Sequence, residues 1–391
     1  MATIDPCSSK GNIRVGFIGA GAVNFGGTLG PWDHASRLEK IEQVRFVAIC
    51  DAIAGKAEEV LAGRKNGANA GKYEYCTAYE DYKLMLQQEK LDAVFIGVPP
   101  FTHGHFDRPI ELDCVRAGVH CFVEKPLSVK PVAEVDAYMQ AVLEEQKRQN
   151  LVVSVGYMFR YHPAIRRMKQ LILEHSSSTG AKLTYLQLTY KNAYNHSTNY
   201  NWWRKELSGG PVVEQATHFC DMARFIAGDI VDGSIRTKVL CHDHPSGAGR
   251  LHSVPDIVRE YEVAEEERVP RVTVAHWRFN SGAIGQLSHG AQLHGRKYEA
   301  CLEAWADGLR ISVDDPYTKA CRLAYRQGDT DDEVVERFPD ADAYMEEDKA
   351  FISAVCTGNH SSIESMYEDA MESYSLSWSI RSSSESLQAK S

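Results

Sequence analysis

Short apolar runs alternate with helix-length amphipathic segments in the first part of the chain. The runs share the length and apolar character of buried strands, and they occupy residues 13–18, 45–51, 91–98, 119–123 and 151–156. Segments such as 79–89 and 106–117, which separate these runs, have the amphipathic pattern of helices. Strands joined by helices pair in parallel through crossover connections. The pattern therefore predicts an α/β domain built on a parallel sheet.

The second part of the chain has an apolar period of two. The same strand-type alternation recurs at residues 182–191, 271–279, 283–289, 298–304, 309–313 and 321–326. Because these strands follow one another through turns rather than helices, they predict a large, mostly antiparallel open sheet. Helices predicted at 164–174 and 214–227 would cover one side of it. This part is therefore expected to be an α+β domain.

The chain of 391 residues has room for both domains, which we place at 11–156 and 157–385, with a last helix that is able to pack back on the first domain. A hydrophobic content of 43% and a charged content of 25% are ordinary for a soluble globular protein. Ten cysteines are scattered without paired spacing, and Cys50 and Cys121 lie inside apolar strands. This usage favours reduced thiols.

Charge and hydropathy exclude several classes of partner. A net charge of -10 without a basic cluster argues against nucleic acid as a partner. No stretch approaches the roughly 18 uninterrupted apolar residues of a membrane span. Residues 1–6 have neither the basic region nor the apolar core of a signal peptide. We therefore expect a cytoplasmic protein whose partner is a small molecule.

A glycine pair, Gly19 and Gly21, follows the first apolar run without a gap. The first glycine permits a tight turn, and the second lets the backbone approach a pyrophosphate at a helix N-terminus. Asn24 stands where the dinucleotide fingerprint has its third glycine, and residues 25–31 have the composition of a loop. We expect an enlarged phosphate turn. The alternative is an ordinary glycine turn after a buried strand.

Asp51 ends the second apolar run. A carboxylate at this place accepts hydrogen bonds from the adenosine ribose hydroxyls and repels a 2'-phosphate, which favours NAD over NADP. Lys56, Arg64 and Lys65 follow shortly after and are able to accommodate a phosphate, so NADP is not excluded. The alternative role of Asp51 is that of a strand-end turn residue or a helix cap.

Further polar residues follow the carboxyl ends of later strands. Pro99 and His103 come after the run 91–98, and Lys125 comes after the run 119–123. Ligands of parallel sheets bind beyond the carboxyl ends of the strands, so these residues are expected to gather at the nucleotide site. Pro126 stiffens the chain after Lys125 and limits where the lysine points. The alternatives are a simple loop histidine and a solvated lysine.

Several short motifs, taken together and in order, resemble the glucose-fructose oxidoreductase, inositol dehydrogenase and rhizopine-catabolism family (Gfo/Idh/MocA). The matching segments are residues 19–21, 92–103, 117–120, 124–127, 155–161 and 209–221. They occur in the family's order between residues 19 and 221. The resemblance implies a Rossmann NAD(P)-binding domain followed by a substrate-binding domain whose open sheet face forms a homodimer or homotetramer.

From this resemblance, Lys125 contacts both the substrate hydroxyl and the nicotinamide region, and His218 exchanges the hydroxyl proton. An imidazole suits that task because it titrates near neutral pH. Glu214 stands where the family usually has an aspartate, four residues before His218, and would share a helix face with it. The predicted cofactor-binding residues are Gly19, Gly21, Ala22, Val23, Asp51, Pro99, His103, Glu124 and Lys125.

The substrate is expected to meet aromatic faces together with amide and cationic donors, which suit a polyhydroxylated ring. The residues that offer these groups are Tyr157, Arg160, Tyr161, Tyr194, Asn195, His196, Asn199, Tyr200, Trp202, Trp203, Arg204 and Gln215, and we single out Tyr157, Arg160, Trp203 and Gln215. Trp202 or Trp203 is alternatively a core residue. Arg160 is alternatively a bidentate partner of a carboxylate, which leaves acidic metabolites open.

One segment has metal-ligand residue types without a metal-ligand spacing. Cys241, His242, His244 and His252 match no familiar zinc pattern, and residues 245–249 have the composition of a flexible loop. We therefore predict no metal.

The sequence favours an NAD(P)-dependent oxidoreductase that moves a hydride between the nicotinamide and a secondary alcohol or ketone of a sugar, cyclitol or related metabolite. Three alternatives keep the same fold. They are an imine or conjugated-bond reductase, a glycosidase that uses NAD transiently, and an NAD-binding sensor or repressor without chemistry. The presence of both Lys125 and His218 weighs against the sensor.

Overall fold

The computed structural model describes residues 12–27, 32–194, 197, 200–241, 260–292 and 295–388. Contacts divide the chain into two compact units. Unit 1 lies within residues 1–128, 133–158 and 342–371, and unit 2 lies within residues 129–132, 159–341 and 372–391. The sequence prediction assigned 157–385 to the second domain, with a last helix able to pack back on the first domain, and residues 342–371 cluster with unit 1. Periodicity reveals that a helix has an apolar face but not which neighbour covers it.

Six parallel strands form the sheet of unit 1. They are β1 (Ile13–Ile18), β2 (Val44–Cys50), β3 (Thr77–Tyr79), β4 (Ala93–Ile96), β5 (His120–Val123) and β6 (Val153–Val155). Their order is β3-β2-β1-β4-β5-β6. Strands β2 and β3 extend the sheet on one side of β1, and β4, β5 and β6 extend it on the other, so the strand order switches between β1 and β4. The predicted parallel sheet is confirmed. Only β3 was missed, because its three residues do not form an apolar run: Thr77 is exposed and only Tyr79 is buried.

The described residues contain twelve α-helices. In chain order they are α1 (Ala22–Phe25), α2 (His34–Leu38), α3 (Lys56–Lys65), α4 (Tyr82–Gln88), α5 (Ile110–Arg116), α6 (Val132–Gln149), α7 (Pro163–Thr179), α8 (Lys205–Ser208), α9 (Pro211–Glu214), α10 (Thr217–Ala227), α11 (Ala343–Thr357) and α12 (Tyr367–Gln388). Single turns of 3-10 helix lie at Ala70–Tyr73, Pro100–Thr102, Met158–Tyr161, Tyr200–Trp203, Glu260–Glu262, Glu265–Glu267 and His360–Ser362.

Phe95, on β4, is at the centre of the aromatic core of unit 1. Its ring stacks on Phe122 at 5.0 Å and lies edge-on to Phe351 at 5.3 Å. Phe17, on β1, is 5.9 Å away on the neighbouring strand. All four rings are fully buried. Because Phe351 belongs to α11, this core ties the later helix to the sheet that the first part of the chain builds.

Eight strands form the sheet of unit 2. They are β7 (Leu183–Ala193), β8 (Arg236–Leu240), β9 (Val272–Arg278), β10 (Ile284–Gln292), β11 (Tyr298–Ala306), β12 (Leu309–Asp314), β13 (Arg322–Gln327) and β14 (Val334–Arg337). Their order is β14-β13-β12-β11-β7-β10-β9-β8, and every neighbouring pair is antiparallel except β7 with β10.

The prediction of a mostly antiparallel sheet is thus confirmed. The two edge strands, β8 and β14, were missed because edge strands bury less apolar surface and show a weaker alternation. Helix α10 packs against β7 and β10, and α7 packs against β12 and β13. Buried and exposed residues alternate along β9, as expected of a sheet with helices on one face only. No helix among the described residues has the length and apolar character needed to cross a membrane.

We expect Phe95→Ala to lower the free energy of unfolding by about 3–5 kcal/mol, because it removes a ring packed on three others and leaves a cavity. Chemical denaturation followed by circular dichroism measures the loss. Leu173→Ala is the matched control, since Leu173 is 58% exposed and its truncation should stay within about 0.5 kcal/mol of the parent. Equal effects of the two substitutions would show that Phe95 does not hold this core together.

Candidate active site

The glycine turn after β1 has the geometry that close approach to a phosphate requires. Gly19 has φ of +98°, and a Cβ there would clash with the carbonyl oxygen of Gly97. A Cβ on Gly21 would meet no atom of the described residues within 4 Å, so none of these residues closes the turn on that side. Such a turn exposes backbone amides to an anion.

Asn24 occupies the place of the third fingerprint glycine and braces this turn. Its side chain is fully buried, and Nδ2 donates to the carbonyl oxygen of Gly19 at 2.7 Å. Helix α1 ends after four residues, at Gly26. The expectation of a loop rather than a continuing helix is therefore confirmed as far as Gly27, and residues 28–31 lie outside the described part of the chain.

Asp51 is tied to the glycine turn. Its carboxylate accepts from the backbone N–H of Ala20 at 2.8 Å and forms an ion pair with Lys56 at 2.9 Å. Burial alone would raise the pKa of Asp51, but the hydrogen bonds from Lys56, Ile53 and Ala20 outweigh it and lower the pKa. Asp51 is thus an ionised strand-end residue with a structural role in the turn, and Lys56 places a cation beside it.

The other two cations expected near a phosphate have different partners. Arg64 bonds Glu39 at 2.8 Å and the carbonyl oxygen of Phe25 at 2.8 Å, and it also pairs with Asp33 at 3.3 Å. Lys65 donates to the carbonyl oxygen of Cys76 at 3.2 Å. Arg64 therefore holds the segments that flank the insertion after Gly27.

His103 is buried within unit 1 rather than exposed at the sheet edge, while Pro99 is exposed. The Nδ1 atom of His103 contacts the carboxylate of Glu111, which also accepts from the hydroxyl of Tyr138 at 2.6 Å. Burial would raise the pKa of Glu111, but His103 and Tyr138 lower it. His103 lies in the loop after Pro100–Thr102, and its ring belongs to a buried polar network, so its contact with the cofactor stays a prediction.

Glu124 and Lys125 lie at the end of β5, each half-buried. The backbone N–H of Glu124 continues the sheet by donating to the carbonyl oxygen of Ile96 at 3.0 Å. Its carboxylate Oε1 lies 2.9 Å from Nε2 of His34. His34 was missed by the sequence reasoning, because a lone histidine in the first turn of a short helix carries no signal of its own.

Glu214, Gln215 and His218 do not share one continuous helix. Glu214 ends α9, His218 belongs to α10, and residues 215–216 separate the two helices. The prediction of one continuous helix over residues 214–227 is therefore wrong. Glycines at 209 and 210, both with positive φ, and Pro211 start a new short helix here, and it ends after four residues.

Each of these three side chains has a defined neighbour in unit 2. Glu214 accepts from Nε1 of Trp202 at 2.9 Å. Oε1 of Gln215 lies 2.9 Å from Nε2 of His289, and burial lowers the pKa of that histidine to about 3. If a neutral His289 donates to Oε1 of Gln215, the amide nitrogen of Gln215 points away from His289. The ring of His218, 8% exposed, lies edge-on to Phe159 at 5.8 Å.

Three predicted substrate-binding residues are core residues instead. Tyr157 and Trp203 are fully buried, and Nε1 of Trp203 donates to the carbonyl oxygen of Ser197 at 2.7 Å. Arg160 is buried and forms a bidentate pair with Asp221, with Nε to Oδ2 at 2.8 Å and Nη2 to Oδ1 at 2.7 Å. The fully buried rings of Tyr157 and Trp203 offer a ligand no surface, and the carboxylate that Arg160 meets belongs to the protein.

Trp202 replaces Trp203 as the aromatic candidate for a ligand. It is half-buried and stands edge-on to Trp203 at 4.7 Å, so the buried ring supports the accessible one. Which of two adjacent tryptophans is exposed depends on the turn of the 3-10 helix that carries them.

The candidates Asn195, His196 and Asn199 lie outside the described residues.

The described residues contain no group of three metal-ligating side chains. Of the segment that holds Cys241, His242, His244 and His252, only Cys241 is described. Eight cysteines, Cys50, Cys76, Cys114, Cys121, Cys220, Cys241, Cys301 and Cys321, are free. Cys356 is disulfide-bonded, so the expectation of reduced thiols was wrong at this residue.

The doubly wound parallel sheet with its glycine turn defines a dinucleotide-binding domain. Comparison with known proteins agrees. Residues 13–157 match the model of the oxidoreductase family with an NAD-binding Rossmann fold, and residues 160–309 match that of an oxidoreductase C-terminal domain. The chain belongs to this Gfo/Idh/MocA oxidoreductase family, and it is an NAD(P)-binding enzyme.

Relatives cover nearly the whole chain. An uncharacterized protein of Schizosaccharomyces pombe is 34% identical over 94% of this chain and 90% of its own length. The myo-inositol 2-dehydrogenase of Thermotoga maritima is 26% identical over 88% of this chain and 89% of its own. A 3-ketoreductase from Actinomadura kijaniata, solved with NADP and TDP-benzene, shares the fold with a TM-score of 0.69 at 17% identity, covering 95% of this chain and 98% of that one.

We expect Arg160→Leu to lower the free energy of unfolding by about 3–5 kcal/mol, because it leaves the carboxylate of Asp221 buried without its cation. Thermal and urea unfolding measure the loss. The double variant Arg160→Leu/Asp221→Leu should recover most of the stability, since no buried charge is then left alone. If Arg160→Leu keeps full stability and instead raises KM for a substrate, the ion pair is not its main role.

Proposed function

We propose that the protein is an NAD(P)-dependent dehydrogenase or reductase that moves a hydride between the nicotinamide and a secondary alcohol or ketone of a sugar, a cyclitol or a related hydroxylated metabolite. The observation that carries the proposal is the carboxyl edge of the unit 1 sheet. There the glycine turn at Gly21 and the half-buried Lys125 follow strands β1 and β5, which flank β4.

The chemistry requires a proton to leave or join the substrate oxygen as the hydride moves at carbon. We assign the proton exchange to His218 and the stabilisation of the developing alkoxide to Lys125. An ammonium group favours negative charge on a neighbouring oxygen, and an imidazole suits proton exchange near neutral pH. Glu214, held by Trp202, and Gln215, held by His289, are the neighbouring polar groups proposed to bind further hydroxyls.

The names of the relatives support the substrate class. The Thermotoga maritima relative is a myo-inositol 2-dehydrogenase, and the Actinomadura kijaniata enzyme is a ketoreductase. Both names describe reactions at a secondary alcohol or its ketone. The aromatic face of Trp202 beside the carboxylate of Glu214 suits a ring that presents C–H groups on one side and hydroxyls at its rim.

We propose a homodimer or homotetramer formed through the open face of the unit 2 sheet. Ile284, Tyr185 and Trp305 are register partners in a row across β10, β7 and β11. Ile284 is 45% exposed and Trp305 is 44% exposed, and the rings of Tyr185 and Trp305 lie 4.5 Å apart. An apolar row of this kind on an uncovered sheet face supports a subunit contact.

Lys125→Ala is expected to fold and to bind NAD, but to lose about a hundred-fold or more in kcat, because the alkoxide is left without its cation. A panel of polyols, sugars and their keto forms, assayed by absorbance of NADH, identifies the working substrate and measures the loss. Lys83→Ala is the control, since Lys83 is an exposed lysine of the same unit and should be neutral. Parent-like turnover by Lys125→Ala would refute the assignment.

We propose a preference for NAD that depends on the charge of Asp51. Asp51→Asn keeps an oxygen for the N–H of Ala20 but removes the charge that repels a 2'-phosphate, so the ratio of kcat/KM for NADP to that for NAD should rise about tenfold or more. Lys56→Gln should lower the same ratio, because it removes the adjacent cation.

Glu80→Gln is the matched control for both cofactor variants. Glu80 is an exposed carboxylate that accepts from the N–H of Gly55, close along the chain to Lys56, and its neutralisation should leave the ratio unchanged. The preference is not set by Asp51 if Asp51→Asn and Glu80→Gln shift the ratio by the same factor.

A further inference from the structure

His34 is a buried histidine with a carboxylate at each ring nitrogen. Its Nδ1 lies 2.7 Å from Oδ1 of Asp348, and its Nε2 lies 2.9 Å from Oε1 of Glu124. The ring is 3% exposed and packs against Phe95 and Phe122, with centroids 5.1 and 4.9 Å away. All of these residues belong to unit 1.

Two ionised carboxylates around one imidazole favour a charged ring. A neutral imidazole donates from one nitrogen only, so one of its two contacts would bring a lone pair against a carboxylate oxygen. An imidazolium satisfies both contacts. Burial alone would lower the pKa of His34, but Asp348 and Glu124 outweigh it and raise the pKa to about 10. Burial raises the pKa of Asp348, and His34 and Arg37 oppose this shift only in part.

The carboxylate of Glu124, next to Lys125 in the chain, contacts the His34 ring on one side. On its other side it lies against Gly156, which has no side chain. A Cβ added at Gly156 would lie 3.0 Å from Oε2 and 3.1 Å from Oε1 of Glu124. The backbone of Glu124 is held by Ile96, so its side chain has little freedom. Lys125 follows Glu124 directly, at a bend after β5, so the backbone held at Glu124 limits where the Lys125 side chain starts.

We call the ring of His34 and the carboxylates of Glu124 and Asp348 the His34 clamp. The position of His34 in the chain connects this clamp to the glycine turn. His34 is the first residue of α2, which follows the insertion after Gly27, and Asp33 caps that helix by accepting from the N–H of Ser36. Arg64 binds Asp33 and the carbonyl oxygen of Phe25, on the two sides of the insertion. The first residue of α2, the helix that follows this insertion in the chain, is thus the residue that contacts the carboxylate beside Lys125.

We propose that His34 is a positioning residue of this enzyme, whose ring holds Glu124 against Gly156 and so fixes Lys125 at the carboxyl edge of the unit 1 sheet. The proposal rests on the proposed function, since it assigns His34 a role in the reaction that Lys125 supports.

Two substitutions at one position separate the two contacts. The amide of asparagine reaches about as far as Nδ1, so His34→Asn retains a donor toward Asp348 and loses the one toward Glu124. The longer glutamine reaches about as far as Nε2, so His34→Gln retains the donor toward Glu124. We expect His34→Asn to lose about tenfold to a hundred-fold in kcat, with KM for the dinucleotide changed less than threefold, because a misplaced group costs rate rather than binding.

His34→Gln is expected to keep kcat within about threefold of the parent. Asp348→Asn is added to both His34 variants, so that Asp348 is not left in either as a buried carboxylate without a cation. Thermal unfolding confirms that each variant is folded before kinetics are compared. Equal losses of kcat in His34→Asn/Asp348→Asn and in His34→Gln/Asp348→Asn would overturn the proposal, and so would parent-like kcat in both.

A double-mutant cycle tests whether His34 acts through Glu124. In a Glu124→Gln background the effect of His34→Asn on kcat should fall to less than about threefold, because the contact is already weakened. Additive losses would show that His34 acts by another route. His175→Asn is the control for a purely structural histidine, since His175 is buried in unit 2 and bonds the carbonyl oxygen of Asp307. It should lower the melting temperature and leave kcat unchanged.

A measurement without substrate keeps this proposal separate from the proposed function. Protein labelled with 15N-histidine, with His34→Asn used for assignment, should show both ring nitrogens of His34 protonated at pH 8. A neutral imidazole spectrum at that pH would overturn the proposal even if every kinetic assay worked. If the parent turns over no substrate while both nitrogens are protonated, the proposed function fails and the charged clamp stands.

Discussion

Parallel pairing of β1 with β2 on one side and β4 on the other is the constraint on which the rest of unit 1 depends. It brings the carboxyl ends of these strands to one edge, where Gly19 must pass so close to Gly97 that neither a side chain nor another backbone angle fits. Asp51 then bonds the N–H of Ala20 across the same edge. Because ligands of doubly wound sheets bind at this switch in strand order, the backbone contact also places the dinucleotide site.

Buried charge is used in this protein mainly to hold side chains in place. Arg160 and Asp221 form a bidentate pair, and the hydroxyl of Ser373 adds a donor to Asp221 at 2.8 Å. Arg271 and Glu260 form a second buried pair, and the guanidinium lies 3.7 Å from the centroid of the ring of Tyr194. Removal of one partner from such a pair is costly, since the other charge stays in a medium of low polarity. The His34 clamp follows the same principle beside a residue with a proposed chemical role.

Strand positions were predictable wherever a strand was long enough to show its period. β1 was predicted over the residues that form it, and most strands of unit 2 were predicted within a few residues. Polar partners were not predictable, because a side chain such as Arg160 has the same sequence signal whether it meets a substrate or Asp221. The break after Glu214 was also missed, since Gly209 and Gly210 set the start of a short helix but do not reveal where it ends.

The sequence by itself determined the fold class, the glycine turn and the position of Lys125 after an apolar strand, because these depend on local period, backbone freedom and the order of elements along the chain. The tertiary structure alone decided which charged groups meet. Glu124 lies 90 residues and Asp348 lies 314 residues after His34 in the chain. Only the packing of α2, β5 and α11 brings their side chains together. Burial then forces these groups to pair, since an isolated charge would not be tolerated there.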